Sequence, residues 1–155
     1  MYSKILVPLD GSPLAERALE PALEMARNSG SEIILLEAAQ DSLAAVPEAH
    51  YHLSTKEAFR SAIEGMKYLR EVAGRLRPQV RKVRWHVEEG DPIGTILAFA
   101  HHEDVDIIVM GTHGRTGISR VVMGSVAEKV AMTTHRPVVL VKPDRSTLHV
   151  QRQAA

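Results

Sequence analysis

The 155-residue chain contains no cysteine, so disulfides, zinc–thiolate sites and thiol catalysis are excluded. It also has no excess of positive charge, because 19 Lys and Arg residues are balanced by 19 Asp and Glu residues. Nucleic acid is therefore not expected as a partner. No apolar run approaches the roughly 20 residues that a membrane helix needs, and the N-terminus has no export signal. We expect a cytoplasmic protein that binds neither nucleic acid nor a membrane.

Five short apolar runs rich in β-branched residues alternate with longer helical patterns along the chain. This alternation is typical of βαβ units, which build a parallel sheet. Hydrophobic residues make up 45% of the chain, which at this length suffices for one compact core and not for two full domains. We predict a single α/β domain over residues 1–143. Residues 144–155 have little apolar content and are expected to be mobile or ordered by a partner.

Two short motifs predict where helices begin. Ser12-Pro13 and Asp91-Pro92 each place a favourable N-cap residue before a proline, which suits the first helical position. Pro21 falls inside the first of these helices and predicts a bend there, because proline removes a hydrogen bond from the helix.

A long helix is expected between the second and third strands. A capping box, Ser54 to Glu57, predicts its start and Pro78 its end. The preceding segment, from about Gln40 to Leu53, lacks periodicity and is expected to be a long loop beside the second strand's C-terminal end. The apolar face that we expect to turn toward the core consists of Ala58, Ala62, Ile63, Met66, Leu69 and Ala73.

The connection after the fourth strand, residues 111–125, contains four glycines. Glycine lets backbone amides approach an anion closely, and successive amides of this kind form a nest for phosphate oxygens. Ser125-Val126-Ala127-Glu128 matches a capping box, which predicts a helix N-terminus whose dipole also favours an anion. The segment therefore predicts phosphate binding. The alternative is a plain strand-to-helix connection with a serine cap.

The spacing of this segment is glycine, two residues, glycine, nine residues, glycine and serine, and it resembles the ATP-binding universal stress proteins. The resemblance runs from Lys4 to about Lys142 and includes the opening segment 7–12 and the turn 90–92. It implies a single open five-stranded parallel sheet of order 3-2-1-4-5 with helices on both faces, a Rossmann-like, adenine nucleotide alpha hydrolase-like fold. The nucleotide would lie across the C-terminal ends of strands 1 and 4, where the switch-point rule also places a ligand.

The resemblance also implies individual site residues. Asp10 would meet the ribose or a Mg²⁺ ion bound with the nucleotide, although from the residues alone it fits a helix cap equally well. Ala38 would meet adenine through its backbone, and Met110 would pack against the nucleoside. Arg115 is either a phosphate contact or a solvated loop side chain, and Ala127 stands where the family often has a hydroxyl group. The other expected nucleotide contacts are Pro8, Leu9, Gly111, Gly114, Gly124, Ser125 and Val126.

Together these features predict an ATP-binding regulatory protein of the stress response, with AMP or ADP as alternative ligands and Mg²⁺ accompanying the nucleotide. Two alternatives stay open: a slow ATPase or phosphotransferase that uses the same site, and a nucleotide-free dimeric interaction module. We assign no catalytic residue, because Asp10 is the only carboxylate expected near the phosphates. The apolar strand from Val138 to Val141 is expected at a sheet edge and predicts a homodimer. The sequence does not identify a protein partner.

Overall fold

The computed structural model of the protein describes residues 1–39, 55–113 and 123–143. The loop predicted after the second strand and the predicted C-terminal tail lie outside the described residues, as do Gly114 and Arg115. The described elements are β1 Lys4–Leu9, α1 Pro13–Glu16, α2 Leu19–Ser29, β2 Glu32–Ala39, α3 Thr55–Leu76, β3 Lys82–Glu89, α4 Pro92–His102, β4 Ile107–Gly111, α5 Ser125–Thr133 and β5 Val138–Val141.

The five strands form one sheet of order β3-β2-β1-β4-β5, and every neighbouring pair is parallel. The predicted fold class and strand order are therefore confirmed. The central strands are apolar on both faces because helices cover both sides of the sheet. Ile5, Val7 and Leu9 of β1 belong to the core under α1, α2 and α3, whereas Leu6 belongs to the core under α4 and α5.

A single helix with a bend at Pro21 was predicted, and the structure has two helices, α1 and α2, with the interruption a few residues before Pro21. Proline has no N–H to donate, so Pro21 cannot bond to the carbonyl of Arg17, four residues before it. Arg17 and Ala18 keep right-handed helical backbone angles, with φ of −62° and −66°. The Ala18 N–H reaches the carbonyl of Ala15, at 3.1 Å, in a tighter turn. The backbone between α1 and α2 therefore keeps helical angles, while the regular pattern of helical hydrogen bonds is interrupted.

Two side chains of α3 do not lie where the apolar pattern predicts. Ile63 and Met66, expected in the core, are 49% and 46% exposed, so the expectation for them is wrong. The buried residues of α3 include Leu69 and Ala73, which the pattern predicted, and Val72. The apolar stripe of α3 is wider than the surface beneath it, because β3 is the last strand of the sheet on this side. Ser54, the predicted cap of this helix, lies outside the described residues.

Asp106 links the start of the chain to the start of β4. Its Oδ2 atom accepts hydrogen bonds from the backbone amides of Ser3, at 2.7 Å, and Lys4, at 2.8 Å. The bonds from Lys4 and Ser3 hold the pKa of Asp106 below its usual value, because they stabilise the carboxylate form. The charged form of Asp106 therefore contributes to the stability of the fold.

We expect Asp106→Asn to lower the free energy of unfolding by about 1 kcal/mol at pH 7, since a neutral acceptor replaces a charged one. Because the folded pKa is depressed, this contribution is present above the unfolded pKa of about 3.9 and is lost as the pH falls through the folded pKa. The difference in the free energy of unfolding between the wild type and the variant should therefore disappear as the pH falls below about 4. Urea unfolding between pH 7 and pH 3 measures it, with Asp104→Asn, an exposed neighbour, as the control. A gap that does not change with pH contradicts the assignment.

Candidate functional site

The ladder between β1 and β4 stops before their C-terminal ends, and we refer to this switch point of the sheet as the crevice. Ladder pairing between these two strands covers only Ile5 with Ile107 and Leu6 with Ile108, although both strands continue for three further residues. By contrast, β1 stays paired with β2 along its whole length. The chain leaves β1 toward the face that carries α1 and α2, and it leaves β4 toward α5 on the other face. Such a switch point is where ligands bind in open parallel sheets.

The N-terminus of α5 lies at the end of β4. The N-cap is Gly124 and makes no side-chain cap bond, while its own amide donates to the carbonyl of Thr112 at 2.7 Å. The predicted capping box is therefore wrong: Ser125 is the first helical residue, and its side chain is exposed. Gly124 has extended backbone angles and Ser125 is already helical, so the helix starts one residue earlier than the box requires. The amides of the first turn are consequently not capped by a side chain of the described residues.

The first and last glycines of the 111–125 connection allow close backbone contacts. A Cβ atom on Gly111 would lie 2.9 Å from the carbonyl oxygen of Leu14 in α1. A Cβ atom on Gly124 would lie 3.0 Å from the carbonyl oxygen of Thr112. Thr112 itself is buried, and its amide donates to the carbonyl of Val141 at 2.9 Å. Gly111 is thus packed against α1, and Gly124 against Thr112, which is itself hydrogen-bonded to β5.

Asp10 has a local role at the start of α1. Its Oδ1 atom accepts a hydrogen bond from the amide of Ser12, at 2.9 Å, and the Ser12 hydroxyl accepts one from the amide of Ala15, at 3.1 Å. Because Leu9 pairs with Glu37, Asp10 stands level with Ala38 at the same edge of the sheet. The structure therefore brings Asp10 and Ala38 to the edge at which β4 and α5 meet.

The other predicted site residues differ in how far they are exposed. Pro8 and Leu9 are buried in β1, and Ala38 is half-buried. Met110 is 5% exposed and belongs to the core under α4 and α5. Val126 is half-buried and Ala127 is buried, so both would face a ligand through their backbone. These residues lie around one edge, and most present backbone atoms there.

An acidic flank that was not predicted from the sequence lies beside the crevice, on the side of β2. The carboxylate of Glu37 is buried and packs against Gly65 of α3, where a Cβ atom would come within 3.1 Å of its Oε2. The Tyr68 hydroxyl donates to Glu16 at 3.1 Å. Burial raises the pKa of Tyr68, and the charges of Glu16, Glu37 and Asp10 raise it further. Glu37 directly follows the apolar residues 33–36 of β2, and a charged residue at this place in a central strand is the sequence feature that could have pointed to the acidic flank.

Among the residues that the structure describes, no group of three His, Asp or Glu side chains is arranged to hold a metal ion. No helix there has the length and apolar content needed to cross a membrane.

The strand order and the glycine connection place the chain among the Rossmann-like open α/β sheets. Within that class, the model of the universal stress protein family matches residues 1–142, and the chain belongs to this family. The universal stress protein MJ0531 of Methanocaldococcus jannaschii is 34% identical over 149 residues, which cover 92% of this chain and 83% of the relative. The predicted family membership is therefore confirmed.

Solved structures agree with this assignment. The structure of protein MJ0577 from the same organism matches with a TM-score of 0.83 and 31% identity, over 94% of this chain and 99% of that one. A universal stress protein from Archaeoglobus fulgidus in complex with dAMP matches with a TM-score of 0.64 and 25% identity, over 91% and 98% of the two chains.

Proposed function

We propose that this protein binds an adenine nucleotide in the crevice between β1 and β4 and acts as a nucleotide-dependent regulator in the stress response. The observation that carries the proposal is the crevice itself, since the β1–β4 ladder stops at Leu6 and Ile108 while α5 begins at its rim. A helix N-terminus without a side-chain cap offers amide donors and a positive dipole to an anion. The dAMP complex of the Archaeoglobus relative supports the choice of an adenine nucleotide.

In this proposal the phosphates bind to backbone amides. The phosphate chain would meet the first turn of α5, from Ser125 to Ala127, together with Gly124 and Gly111. Gly114 and Arg115 are proposed as further phosphate contacts on the resemblance to the family alone, since both lie outside the described residues. Each hydrogen bond to a charged phosphate oxygen contributes about 1.5–3 kcal/mol, and three or four support micromolar affinity after ordering costs. ATP makes the most of these contacts, whereas ADP and AMP would occupy the same site with fewer.

The nucleoside lies on the other side of the crevice. Pro8, Leu9 and Met110 are buried at this edge and would meet the nucleoside mainly through backbone atoms, and the backbone of Ala38 would meet adenine. The Asp10 carboxylate suits the ribose hydroxyls or a Mg²⁺ ion, because Mg²⁺ is usually held by one or two carboxylates together with phosphate oxygens. The acidic flank at Glu37 and the positive end of α5 favour the same orientation, with phosphates toward α5.

We propose binding and not rapid turnover as the activity. Hydrolysis needs a group that orients water or an acceptor, and Asp10 is the only carboxylate that we place at the phosphates. Regulation then depends on a difference in ATP affinity between two states of the 111–125 connection. A steady-state rate above about one turnover per minute would contradict this and favour the ATPase alternative.

We also propose a cytoplasmic homodimer that pairs through β5. This strand is at the edge of the sheet, and all four of its residues, Val138 to Val141, are half-buried. An apolar edge strand with unpaired backbone groups favours addition of another strand.

Calorimetric titration of nucleotide-stripped protein tests the binding proposal. We expect Mg-ATP to bind with micromolar affinity, about −8 kcal/mol, and adenosine to bind at least tenfold more weakly because it lacks phosphates. Mg-GTP serves as the control for the base. Absence of heat and of thermal stabilisation with every adenine compound would contradict the proposal and favour a nucleotide-free interaction module.

A further inference from the structure

The first helix, α1, is short and depends on its neighbours for its position. It consists of the four residues Pro13–Glu16, and the regular helical hydrogen bonds are interrupted directly after it. Because a single helical turn is not stable by itself, contacts with other elements must fix where α1 lies. One of these contacts is with β4: a Cβ atom on Gly111 would lie 2.9 Å from the carbonyl oxygen of Leu14. The α1 backbone is therefore packed directly against the start of the glycine connection.

A second contact ties α1 to α3 through the carboxylate of Glu16. The Arg75 guanidinium donates to Glu16 Oε2 at 2.6 Å, and the Tyr68 hydroxyl donates to Oε1 at 3.1 Å. Burial raises the pKa of Tyr68 and the charge of Glu16 raises it further, so this hydroxyl stays protonated and remains a donor. An exposed ion pair alone contributes little to stability, but two donors on the two oxygens of one carboxylate fix its position.

A continuous series of hydrogen bonds leads from Glu16 to Asp10. The amide of Glu16 donates to the carbonyl of Ser12 at 3.2 Å, and the amide of Ser12 donates to Oδ1 of Asp10 at 2.9 Å. The Ser12 hydroxyl accepts a hydrogen bond from the amide of Ala15 at 3.1 Å, which closes the same turn. Residues 10–16 thus form one hydrogen-bonded unit. A displacement of Glu16 would therefore move the Asp10 carboxylate as well.

We infer that Glu16 is a positioning residue for the nucleotide site: Tyr68 and Arg75 of α3 hold its carboxylate, and the turn 10–16 carries that position to Asp10. The inference rests on the proposed function, in which Asp10 meets the ribose or a Mg²⁺ ion. Glu16 acts on the ligand only through Asp10. The helix that holds Glu16 packs on β2 and β3, so α3 becomes part of a site that lies between β1 and β4.

Hydrogen exchange of the Ser12 amide in the nucleotide-free protein tests the positioning step separately from binding. We expect Glu16→Ala to speed this exchange by at least about threefold, because the amide loses protection when the turn opens more often. Glu20→Ala is the matched control, since Glu20 is an exposed glutamate in the first turn of α2. Tyr68→Phe removes one of the two donors and should have a smaller effect in the same direction. Equal exchange in Glu16→Ala and the wild type would overturn the inference and leave the proposed function intact.

Calorimetric titration with Mg-ATP tests the consequence for binding. Glu16→Ala should weaken binding by about three- to tenfold, and Glu16→Gln, which keeps an oxygen acceptor, should recover part of the loss. Glu20→Ala should bind as the wild type does. In an Asp10→Asn background, Glu16→Ala should weaken binding by less than about twofold more, because the effects of residues that act through one another are not additive.

The outcomes separate the inference from the proposed function. An equal effect of Glu16→Ala with and without Asp10→Asn would indicate a general loss of stability and overturn the inference. Absence of nucleotide binding by the wild type would overturn the proposed function, and with it the assignment of Glu16 to that site.

Discussion

Ser125→Asp should weaken ATP binding at least tenfold while leaving the fold as stable as the wild type or more so. Ser125 is the first residue of α5 and is exposed, so the substitution meets no packing barrier. A carboxylate in the first turn interacts favourably with the helix dipole, by about 0.3–1 kcal/mol. The same carboxylate competes with phosphate for the amides and repels it, and 1.4 kcal/mol of lost binding energy already corresponds to a tenfold effect.

Ser125→Asp is informative because we expect it to lower ATP affinity without lowering stability. A variant that merely damages the fold would lower stability and affinity together. Ser125→Asn is the matched control: it has nearly the same shape as aspartate without the charge, and it should bind ATP within a few-fold of the wild type. Adenosine affinity should be unchanged in both variants. Calorimetry and urea unfolding on the same samples measure both quantities. An ATP affinity unaffected by Ser125→Asp would remove α5 from the proposed site.

Much of the fold could be predicted from local patterns. Alternating apolar runs predicted five strands, and the cap-proline pairs predicted the starts of α1 and α4, where Ser12 and Asp91 are indeed the N-caps. Strand order is a different matter, since a parallel sheet carries no local signal for which strands are neighbours. The order came from the resemblance to the family. The structure confirms this order. The central strands β1 and β2 are buried over most of their length, because helices cover both faces of the sheet.

The incorrect predictions share a physical cause. Ile63 and Met66 fit the apolar stripe of α3, but a stripe does not show how far the sheet beneath it extends. Ser125 fits a capping box, but a cap depends on backbone angles that the extended Gly124 takes instead. The role of Glu37 was not predicted either, because the space for its carboxylate is left by Gly65, which is distant in sequence.

The glycines of the 111–125 connection show that glycine can be required at one position for more than one reason. Phosphate binding explains why amides there should be accessible. The structure adds that Gly111 and Gly124 each touch backbone atoms that a side chain would displace. A variant such as Gly124→Val would therefore disturb the Thr112 contact as well as any phosphate contact, and loss of binding in it would not identify the site. Substitutions at exposed Ser125 avoid this ambiguity.

Gly111→Ala should destabilise the protein by about 1–3 kcal/mol, the usual cost of overpacking. The added Cβ would meet the carbonyl oxygen of Leu14 at 2.9 Å and that of His113 at 3.2 Å, and backbone atoms cannot move aside as a flexible side chain can. Gly74→Ala is the matched control. It lies in α3 with nothing within 4 Å of the added Cβ, and should stabilise the protein by about 0.5–1 kcal/mol, because glycine is unfavourable inside a helix.

Urea unfolding of the two alanine variants gives the comparison directly, and the ATP affinity of the folded Gly111→Ala variant separates the two roles of this glycine. Alanine keeps the backbone amide, so a packing role predicts lower stability with ATP affinity within a few-fold of the wild type. If Gly111→Ala is as stable as the wild type, the contact between β4 and α1 is looser than the structure shows. If stability is unchanged and ATP binding is lost, close approach of the nucleotide, and not packing, is the reason for glycine at this position.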